Sequence, residues 1–291
     1  MTPGTNNGFV YAVFGLRLRS AFPLPELRSI ADDGAPHDVT LEWGRVTARL
    51  EGAVDVDSAV QVTARDFHLA VPAGRFLVSD GRSILVDARP GTSEAELRPY
   101  LLGTVMSALC HQRGLLPLHA AAVLFGESAV AFAGPSGVGK STLAAWFQDL
   151  GHAVLADDLL ALEIDPEGIP RALPGVPRIR LWGEAAVGGG KISLPISTAA
   201  TGAPAIRRLY RLRAEGGDPP SICRSRGPER VSAILDGVYR WPIAVAMGRG
   251  PACFAQGLAV ASRCEVFEVS FTHAAGSPET LALALETHLV C

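Results

Sequence analysis

Lysine is almost absent from this sequence. Of the 26 lysine and arginine residues in the 291-residue chain, only Lys140 and Lys191 are lysines. Arginine therefore carries nearly all of the positive charge. A lysine ammonium group is compact and mobile, whereas the arginine guanidinium group is wide and planar. Lys140 and Lys191 are therefore candidates for tasks that arginine does not fit.

The chain also has no Cys-x-x-Cys pair, little net charge and no long apolar run. Each of these features argues against a class of protein. The five cysteines are odd in number and lack a Cys-x-x-Cys pair, which argues against a disulfide framework and a zinc site. A net charge of -3 gives no electrostatic reason to expect nucleic acid or an anionic membrane surface as a partner. No apolar run is long enough to span a bilayer, and the N-terminus lacks the pattern of a signal peptide. We therefore expect a cytoplasmic protein with reduced thiols.

The first ninety or so residues are rich in short β-strand patterns. Short segments there are rich in β-branched residues, and in several of them polar residues alternate with apolar ones. Gly, Pro and Asp separate these segments, which is typical of strands joined by tight turns. Strands are predicted over Asp38–Trp43, Phe67–Val71, Arg75–Asp80 and Ser83–Ala88. A helix follows, because Ser93 and Glu96 form a capping box before an apolar pattern that ends at Gly114. The predicted organisation is a small β-rich N-terminal domain, 1–91, and a second domain, 92–291.

From Leu115 onward, strand patterns alternate with helix patterns, which predicts an α/β core. Strands are predicted over Leu116–Phe125, Ser128–Gly134 and Ala153–Asp158, and a helix over Lys140–Leu150. After Pro166 proline and glycine are dense, so loops and mobile segments are predicted there. The chain ends with a predicted helix over Ser277–Leu289.

The sequence from 134 to 142 fits G-x-x-x-x-G-K-[ST], the phosphate-binding loop. Its glycines permit backbone angles that turn successive N–H groups toward one point, and the following helix adds its positive end. Lys140 would supply a compact charge at the β- and γ-phosphates, and Ser141 a hydroxyl ligand for Mg²⁺. The predicted nucleotide-binding residues are Gly134, Pro135, Ser136, Gly137, Val138, Gly139, Lys140, Ser141 and Thr142.

Two aspartates end the strand that follows this loop and its helix. A phosphate-binding loop needs an acid on a neighbouring strand to hold the metal, and "VLADD" supplies Asp157 and Asp158. One can hold Mg²⁺ while the other takes a proton from an attacking hydroxyl, and the residues alone leave the assignment open. A water-activating NTPase usually needs one acid here, so the pair favours a kinase. His119, in the strand before the loop, is either a core residue or part of the site.

At these residues the chain resembles the HPr kinase/phosphorylase family. The matching features are His119 in "LPLHAAAV", the loop "GPSGVGKST" and the ending "GHAVLADD", within Leu115–Leu162. Members of the family have a P-loop core related to phosphoenolpyruvate carboxykinase, and they use ATP and Mg²⁺ to phosphorylate a serine of a protein. The resemblance implies that Asp157 is the base toward the serine hydroxyl, that Asp158 assists Mg²⁺ and that His119 lies near the phosphates.

The chain also departs from that family. An acid-and-arginine signature of the type E-I-R-G is missing after the aspartates, where the chain reads "VPRIRLWGEAAV", and the family's N-terminal domain is not recognisable in Phe9–Ala88. Together with "YAVFGLRLRSAFPLPEL" and "HQRGLLPLHAAAV", the chain is similar to a shorter HPr-kinase-like group that includes kinases of lasso-peptide biosynthesis. This implies as acceptor a serine of a protein or peptide, such as a lasso precursor, in place of HPr. Family members are hexamers, which leaves a homo-oligomer open.

Two other functions stay open, as does the role of the second lysine. A nucleotide-binding regulatory or peptide-binding module would keep the loop without transferring phosphate, and a small-molecule kinase would use the same core on a metabolite. Lys191 follows three glycines in "AVGGGKISLP", and such a run lets the backbone approach a ligand closely. Lys191 is therefore either a substrate contact, at the γ-phosphate or at the acceptor, or a solvated loop lysine.

Overall fold

The computed structural model describes residues 8–182, 191–196, 202–215, 219–272 and 278–290, and it confirms a mixed α/β chain with several sheets. The chain divides into two compact units. The first comprises the chain up to Leu115 together with Arg240–Cys253, and the second comprises Leu116–Tyr239 and Phe254–Cys291. No helix within the described ranges is long and apolar enough to cross a membrane.

Strands and helices occur in both units. In chain order the strands within the described ranges are β1 Phe9–Val13, β2 Leu16–Ser20, β3 Arg28–Ser29, β4 Val39–Trp43, β5 Val54–Asp55, β6 Val60–Val62, β7 Asp66–Val71, β8 Gly74–Ser79, β9 Ser83–Ala88, β10 Leu116–Leu118, β11 Ala120–Phe125, β12 Ser128–Ala133, β13 Val154–Ala156, β14 Leu160–Ile164, β15 Pro170–Leu173, β16 Arg178–Trp182, β17 Lys191–Pro195, β18 Ile206–Arg213, β19 Ser221–Arg224 and β20 Glu265–Ser270. The helices are α1 Glu94–Tyr100, α2 Met106–Gln112, α3 Lys140–Asp149, α4 Pro228–Leu235, α5 Trp241–Ala246, α6 Gly250–Arg263 and α7 Pro278–Val290, with a π-helical segment, Leu101–Val105, between α1 and α2.

The first unit is built on one sheet, in the order β3-β1-β2-β4-β9-β8-β7-β6-β5. The strands predicted from alternation in this region are present as β4, β7, β8 and β9. Alternate side chains of β9 are buried, as in Ile84 and Val86, because a strand that packs on one face buries every second residue. The turn between β8 and β9 uses a positive φ at Asp80 and at Gly81, which suits a tight hairpin.

The helical segment that follows belongs to this first unit. Its predicted start is confirmed, since the backbone N–H of Ser93 donates to Glu96 Oε2 at 2.9 Å within a capping box. Gln112, at the end of α2, donates from Nε2 to the carbonyl of Val78 in β8 at 3.1 Å. Because the helices are tied to the sheet in this way, the compact units do not divide at residue 91. That residues 1–91 and 92–291 form separate domains stays a prediction.

The second unit is built on a six-stranded sheet in the order β13-β11-β12-β18-β20-β19. Strands β12, β18 and β20 are parallel, and β11 is antiparallel to both β12 and β13. The carboxyl ends of β13, β12, β18 and β20 therefore meet at one edge of the sheet, where β11 begins. In open α/β sheets, ligands bind outside the carboxyl ends of the strands.

Helix α3 packs on one face of this sheet. Leu143 and Phe147 of the helix lie in a buried cluster with Phe132 of β12 and with Tyr210 and Leu212 of β18. The rings of Phe132 and Phe147 stack with centroids 5.4 Å apart. This packing fixes the start of α3 at the edge of the sheet, next to the end of β12.

Helix α7 is anchored to β18 through a partly buried polar contact. The hydroxyl of Tyr210 lies 2.9 Å from Nδ1 of His288. Burial raises the pKa of Tyr210 to about 12 and lowers the pKa of His288, so the phenol donates to a neutral imidazole. Arg208 donates to the carbonyls of His288 and Leu289, which satisfies acceptors that the last turn of a helix leaves open.

The prediction of loops after Pro166 is wrong where the structure describes strands, and its segments 183–190, 197–201 and 216–218 lie outside the described residues. The structure has strands there, including β15, β16, β18 and β19, and β18 lies near the centre of the six-stranded sheet. Pro170 itself begins β15, a position that proline tolerates. The predicted C-terminal helix is present as α7, and its predicted cap, Ser277, lies outside the described residues.

Candidate active site

The loop from Gly134 to Gly139 joins β12 to α3 and depends on glycine at three positions. Gly134, Gly137 and Gly139 have φ values of +147°, +86° and +103°. A Cβ at Gly134 would lie 2.8 Å from the carbonyl oxygen of Leu212, a distance that real Cβ atoms do not show. The backbone of the loop can therefore run against β18 because residue 134 has no side chain.

Lys140 is folded back onto this loop. It is 6% exposed, and its Nζ donates to the carbonyls of Gly134 and Pro135, both at 2.8 Å. Nζ also lies 3.1 Å from Nε2 of His119. An ammonium group has three N–H donors and no acceptor, so it can donate in all three of these contacts.

The partners of His119 fix its tautomer. Nε2 accepts from Lys140, because an ammonium group can only donate. The proton of the neutral ring is then on Nδ1, which lies 3.0 Å from the backbone carbonyl of Asp158 and donates to it. Tyr239 contacts the ring edge to face, with centroids 5.3 Å apart. His119 therefore joins the lysine of the loop to the aspartate segment after β13.

Asp157 is the acid nearest to the predicted metal ligand of the loop. It is 5% exposed, and Oδ1 accepts from the hydroxyl of Ser141 at 2.9 Å. Oδ2 accepts from the backbone N–H of Arg180 at 2.7 Å. Hydroxyl and carboxylate oxygens are the ligands that Mg²⁺ prefers. The pair formed by Ser141 and Asp157 is therefore suited to hold Mg²⁺ at the start of α3.

Asp158 points elsewhere, although it follows Asp157 directly. Its φ is +76°, in the left-handed region that non-glycine residues rarely adopt. Oδ2 accepts from the guanidinium of Arg180 at 3.1 Å, and Oδ1 lies 3.6 Å from Nδ1 of His119. The sharp turn gives the two carboxylates separate partners. Such backbone outliers are concentrated at functional sites.

The residues present fit a nucleoside triphosphate with Mg²⁺. Pro135, Ser136 and Gly137 are exposed, and a Cβ at Gly137 or Gly139 would meet nothing within 4 Å, so the loop has room for phosphate groups. The first turn of α3 adds the positive end of a helix. In the part of the chain that the structure describes, no group of three or more His, Cys, Asp or Glu side chains could hold a metal by itself. Mg²⁺ is commonly held by one or two carboxylates together with phosphate oxygens.

Comparison with solved structures gives matches, one of which is described here. The chain is similar to a solved structure described as the Hpr(Ser) kinase/phosphatase from Coxiella burnetii, with 17% sequence identity and a TM-score of 0.35 over 60% of this chain and 96% of that chain. No protein-family model matches the chain, and no curated protein matches it in sequence. Likeness at this level does not bear on substrate or reaction, so the chemistry of the site has to decide the function.

The predicted residues of the loop, both aspartates and His119 are brought together at one edge of the sheet. Val138 is buried and Thr142 lies in the first turn of α3, whereas Ser136 is exposed. The roles assigned to these residues stay predictions. Lys191 begins β17 and pairs with Trp182 of β16, but its side chain lies outside the described residues.

Sequence reasoning did not select Arg180 and Tyr239 as residues of the site. Arg180 contacts both aspartates, one through its backbone and one through its side chain. The signal in the sequence is the alternation of Arg178 and Arg180 with apolar residues in "RIRLW", which is typical of a strand. No pattern in the sequence marks Tyr239 as a neighbour of His119.

Proposed function

We propose that the protein is an ATP-dependent serine kinase whose acceptor is a protein or a peptide. The observation that carries this proposal is the separation of the two carboxylates at one phosphate-binding loop. Asp157 contacts Ser141, where a metal ion would be held, while Asp158 contacts His119 and Arg180. An enzyme that activates water at such a loop usually needs only the acid that holds the metal. A second acid within reach of the same site can take the proton of an acceptor hydroxyl.

ATP with Mg²⁺ supplies a transferable phosphoryl group whose charge the metal partly neutralises. With a triphosphate bound, Lys140 would hold the β- and γ-phosphates in place of the loop carbonyls, and its compact charge would stabilise negative charge that develops during transfer. A base takes the proton of the serine hydroxyl as its oxygen forms the new bond to phosphorus and the bond to the leaving ADP oxygen breaks. His119, as a neutral ring, positions Lys140 and the backbone of Asp158.

The geometry favours an exchange of the two aspartate roles that the family resemblance implies. Asp157 already accepts a hydrogen bond from Ser141, the hydroxyl that a phosphate-binding loop offers to Mg²⁺. Asp158 is on the side of His119, and its side chain is 13% exposed. We therefore propose Asp157 as the metal ligand and Asp158 as the base.

A nucleotide-binding module that does not transfer phosphate is the second candidate. The observation in its favour is the ion pair between Arg180 and Asp158 at 3.1 Å, which occupies one oxygen of the proposed base. A kinase requires that this oxygen be released or shared when the acceptor binds. A binding module requires only that the nucleotide be held, so the rate of transfer distinguishes the two.

The acceptor is tested by offering two substrates in separate reactions with ATP and Mg²⁺. The missing E-I-R-G signature motivates the expectation of no useful phosphorylation of HPr, and of phosphate on a serine of a peptide encoded near the gene, such as a lasso precursor. Tandem mass spectrometry locates the phosphate in each case. Efficient phosphorylation of HPr at its regulatory serine would refute the proposed acceptor class, while leaving the kinase in place.

Lys191 is proposed as a contact to the γ-phosphate or to the acceptor. It follows a run of glycines in a chain that otherwise uses arginine. We expect Lys191→Ala and Lys191→Arg both to reduce transfer while ATP affinity stays near wild type, because Lys140 still holds the phosphates. Steady-state kinetics and calorimetry measure the two effects. If both variants match wild type at saturating acceptor, Lys191 has no part in the site.

A further inference from the structure

A polar pocket of about 450 Å³ lies at the carboxyl ends of β18 and β20, beside α4. Its lining residues are Arg211, Arg213, Glu229, Ser232, Glu268 and Ser270. This volume is within the usual range for small-molecule sites. The phosphate-transfer chemistry described above uses none of these side chains.

The pocket begins beside the phosphate-binding loop. Ala133, the last residue of β12, is the register partner of Arg211, and Gly134 runs against the carbonyl of Leu212. Arg211 and Arg213 lie on the face of β18 opposite Tyr210 and Leu212, which pack toward α3, because successive strand residues point to opposite faces. The pocket is therefore on the α4 side of the sheet, at the same edge as the loop.

The order of strands fixes what lies on each side of the loop. The aspartates follow β13 and His119 precedes β11, so both lie on one side of β12. Strands β18 and β20, with the pocket, lie on its other side. A nucleotide is linear, with the γ-phosphate at one end and the nucleoside at the other. If the γ-phosphate faces the acids, the nucleoside extends across the loop toward β18 and β20.

The charges of the pocket select the kind of ligand. Arg211 and Arg213 both pair with Glu268, at 3.1 and 2.8 Å, and Glu229 is a second carboxylate in the lining. Two positive and two negative side chains leave no net charge to attract another phosphate or an acidic segment. Carboxylates accept hydrogen bonds from ribose hydroxyls, and guanidinium planes stack on flat rings. The lining therefore suits a neutral, polar, partly aromatic group.

We propose that this pocket binds the nucleoside of the nucleotide, with the ribose hydroxyls at its carboxylates and the base against its arginines. The proposal rests on the proposed function in one respect, since it requires the triphosphate to lie at the loop of Gly134 and Lys140. The pocket would then explain why the protein prefers a nucleoside triphosphate to inorganic triphosphate.

The test compares two probes, ATP and inorganic triphosphate, each with Mg²⁺, by titration calorimetry. Ser232 is exposed on α4, so Ser232→Trp fills the pocket without disturbing the core. We expect this variant to weaken ATP binding by about tenfold or more, the loss of one or two hydrogen bonds, and to leave triphosphate binding unchanged. Ser262→Trp, at an exposed position of α6 outside the pocket lining, is the matched control and should bind both probes like wild type.

A second variant addresses the ribose directly. Glu229 is exposed, so Glu229→Gln should fold normally and should reduce the preference of the protein for ATP over inorganic triphosphate.

Unchanged ATP binding in Ser232→Trp, or equal weakening of both probes, would overturn the pocket assignment. Unchanged ATP binding with a raised KM for the acceptor would assign the pocket to the acceptor instead. If neither probe binds the wild type, the proposed function fails and the pocket assignment fails with it. If triphosphate binds as tightly as ATP, only the pocket assignment fails.

Discussion

Replacing Lys140 with alanine is expected to lower phosphoryl transfer by about 10²- to 10³-fold, the effect of losing a group that stabilises developing negative charge. The ligand-free variant should melt within a few degrees of wild type. Lys140 donates to carbonyls of an exposed loop, and water can take its place there once the side chain is removed. Transfer kinetics and thermal unfolding measure the two quantities on the same preparation.

Lys140→Arg separates charge from shape. Arginine keeps the positive charge, but its planar fork does not fit the enclosed position between the loop carbonyls and His119. We therefore expect the arginine variant to lose most of its activity as well. An arginine variant with normal turnover would show that charge alone suffices, and the explanation of the rare lysine would be wrong.

Replacing Asp157 or Asp158 with asparagine should give a different defect in each variant. Asp158→Asn removes the proposed base, so we expect ATP·Mg²⁺ to bind normally and the rate of transfer to fall by about 10²- to 10⁴-fold. Asp157→Asn weakens the proposed metal site, so the Mg²⁺ concentration needed for half-maximal activity should rise by about 10- to 100-fold. Calorimetry of nucleotide binding beside a transfer assay over a range of Mg²⁺ concentrations distinguishes the two.

Asp149→Asn is the matched control for this pair. Asp149 ends α3 and is exposed, so its variant should match wild type in both measurements. If the metal defect follows Asp158 and the rate defect follows Asp157, the assignment implied by the family resemblance holds, and the exchange proposed from the hydrogen bond between Ser141 and Asp157 is wrong.

Features of the fold and of the site that depend on local sequence could be predicted. The loop from 134 to 139, the start of α3 and the capping box at Ser93 are each specified by residues within a few positions of one another. The strands β7, β8 and β9 were found for the same reason, since alternation over five or six residues is a local signal. These elements agree with the structure because tertiary contacts do not have to override them.

The sequence does not predict strand β18 near the centre of a sheet, because many of its residues are charged. The sequence "IRRLYRLR" contains four arginines, which suggests an exposed segment. In the sheet, Arg208 pairs with Glu265 at 3.3 Å and Arg211 with Glu268 at 3.1 Å, each opposite its register partner on β20. The compensating acids lie more than fifty positions away, so no local pattern reveals them.

The same reason explains the contacts of Arg180. It lies 22 positions after Asp158 in sequence, and its contact with both aspartates depends on where β16 begins relative to β13. A spacing of this kind is set by the fold. The bonds of Gln112 to β8 likewise join residues more than thirty positions apart, so they cannot be read from the sequence.

The reaction proposed for this protein is transfer of the γ-phosphoryl group of ATP to a serine hydroxyl. Intact-mass spectrometry tests it most directly, on a serine-bearing candidate peptide and its serine-to-alanine counterpart, each incubated with ATP, Mg²⁺ and either the wild type or Lys140→Ala. We expect the serine peptide to gain one phosphoryl group with the wild type alone, and the alanine peptide to gain none. Tight ATP binding by the wild type with no mass gain on any protein or peptide offered, or a mass gain that persists in Lys140→Ala, would contradict the account.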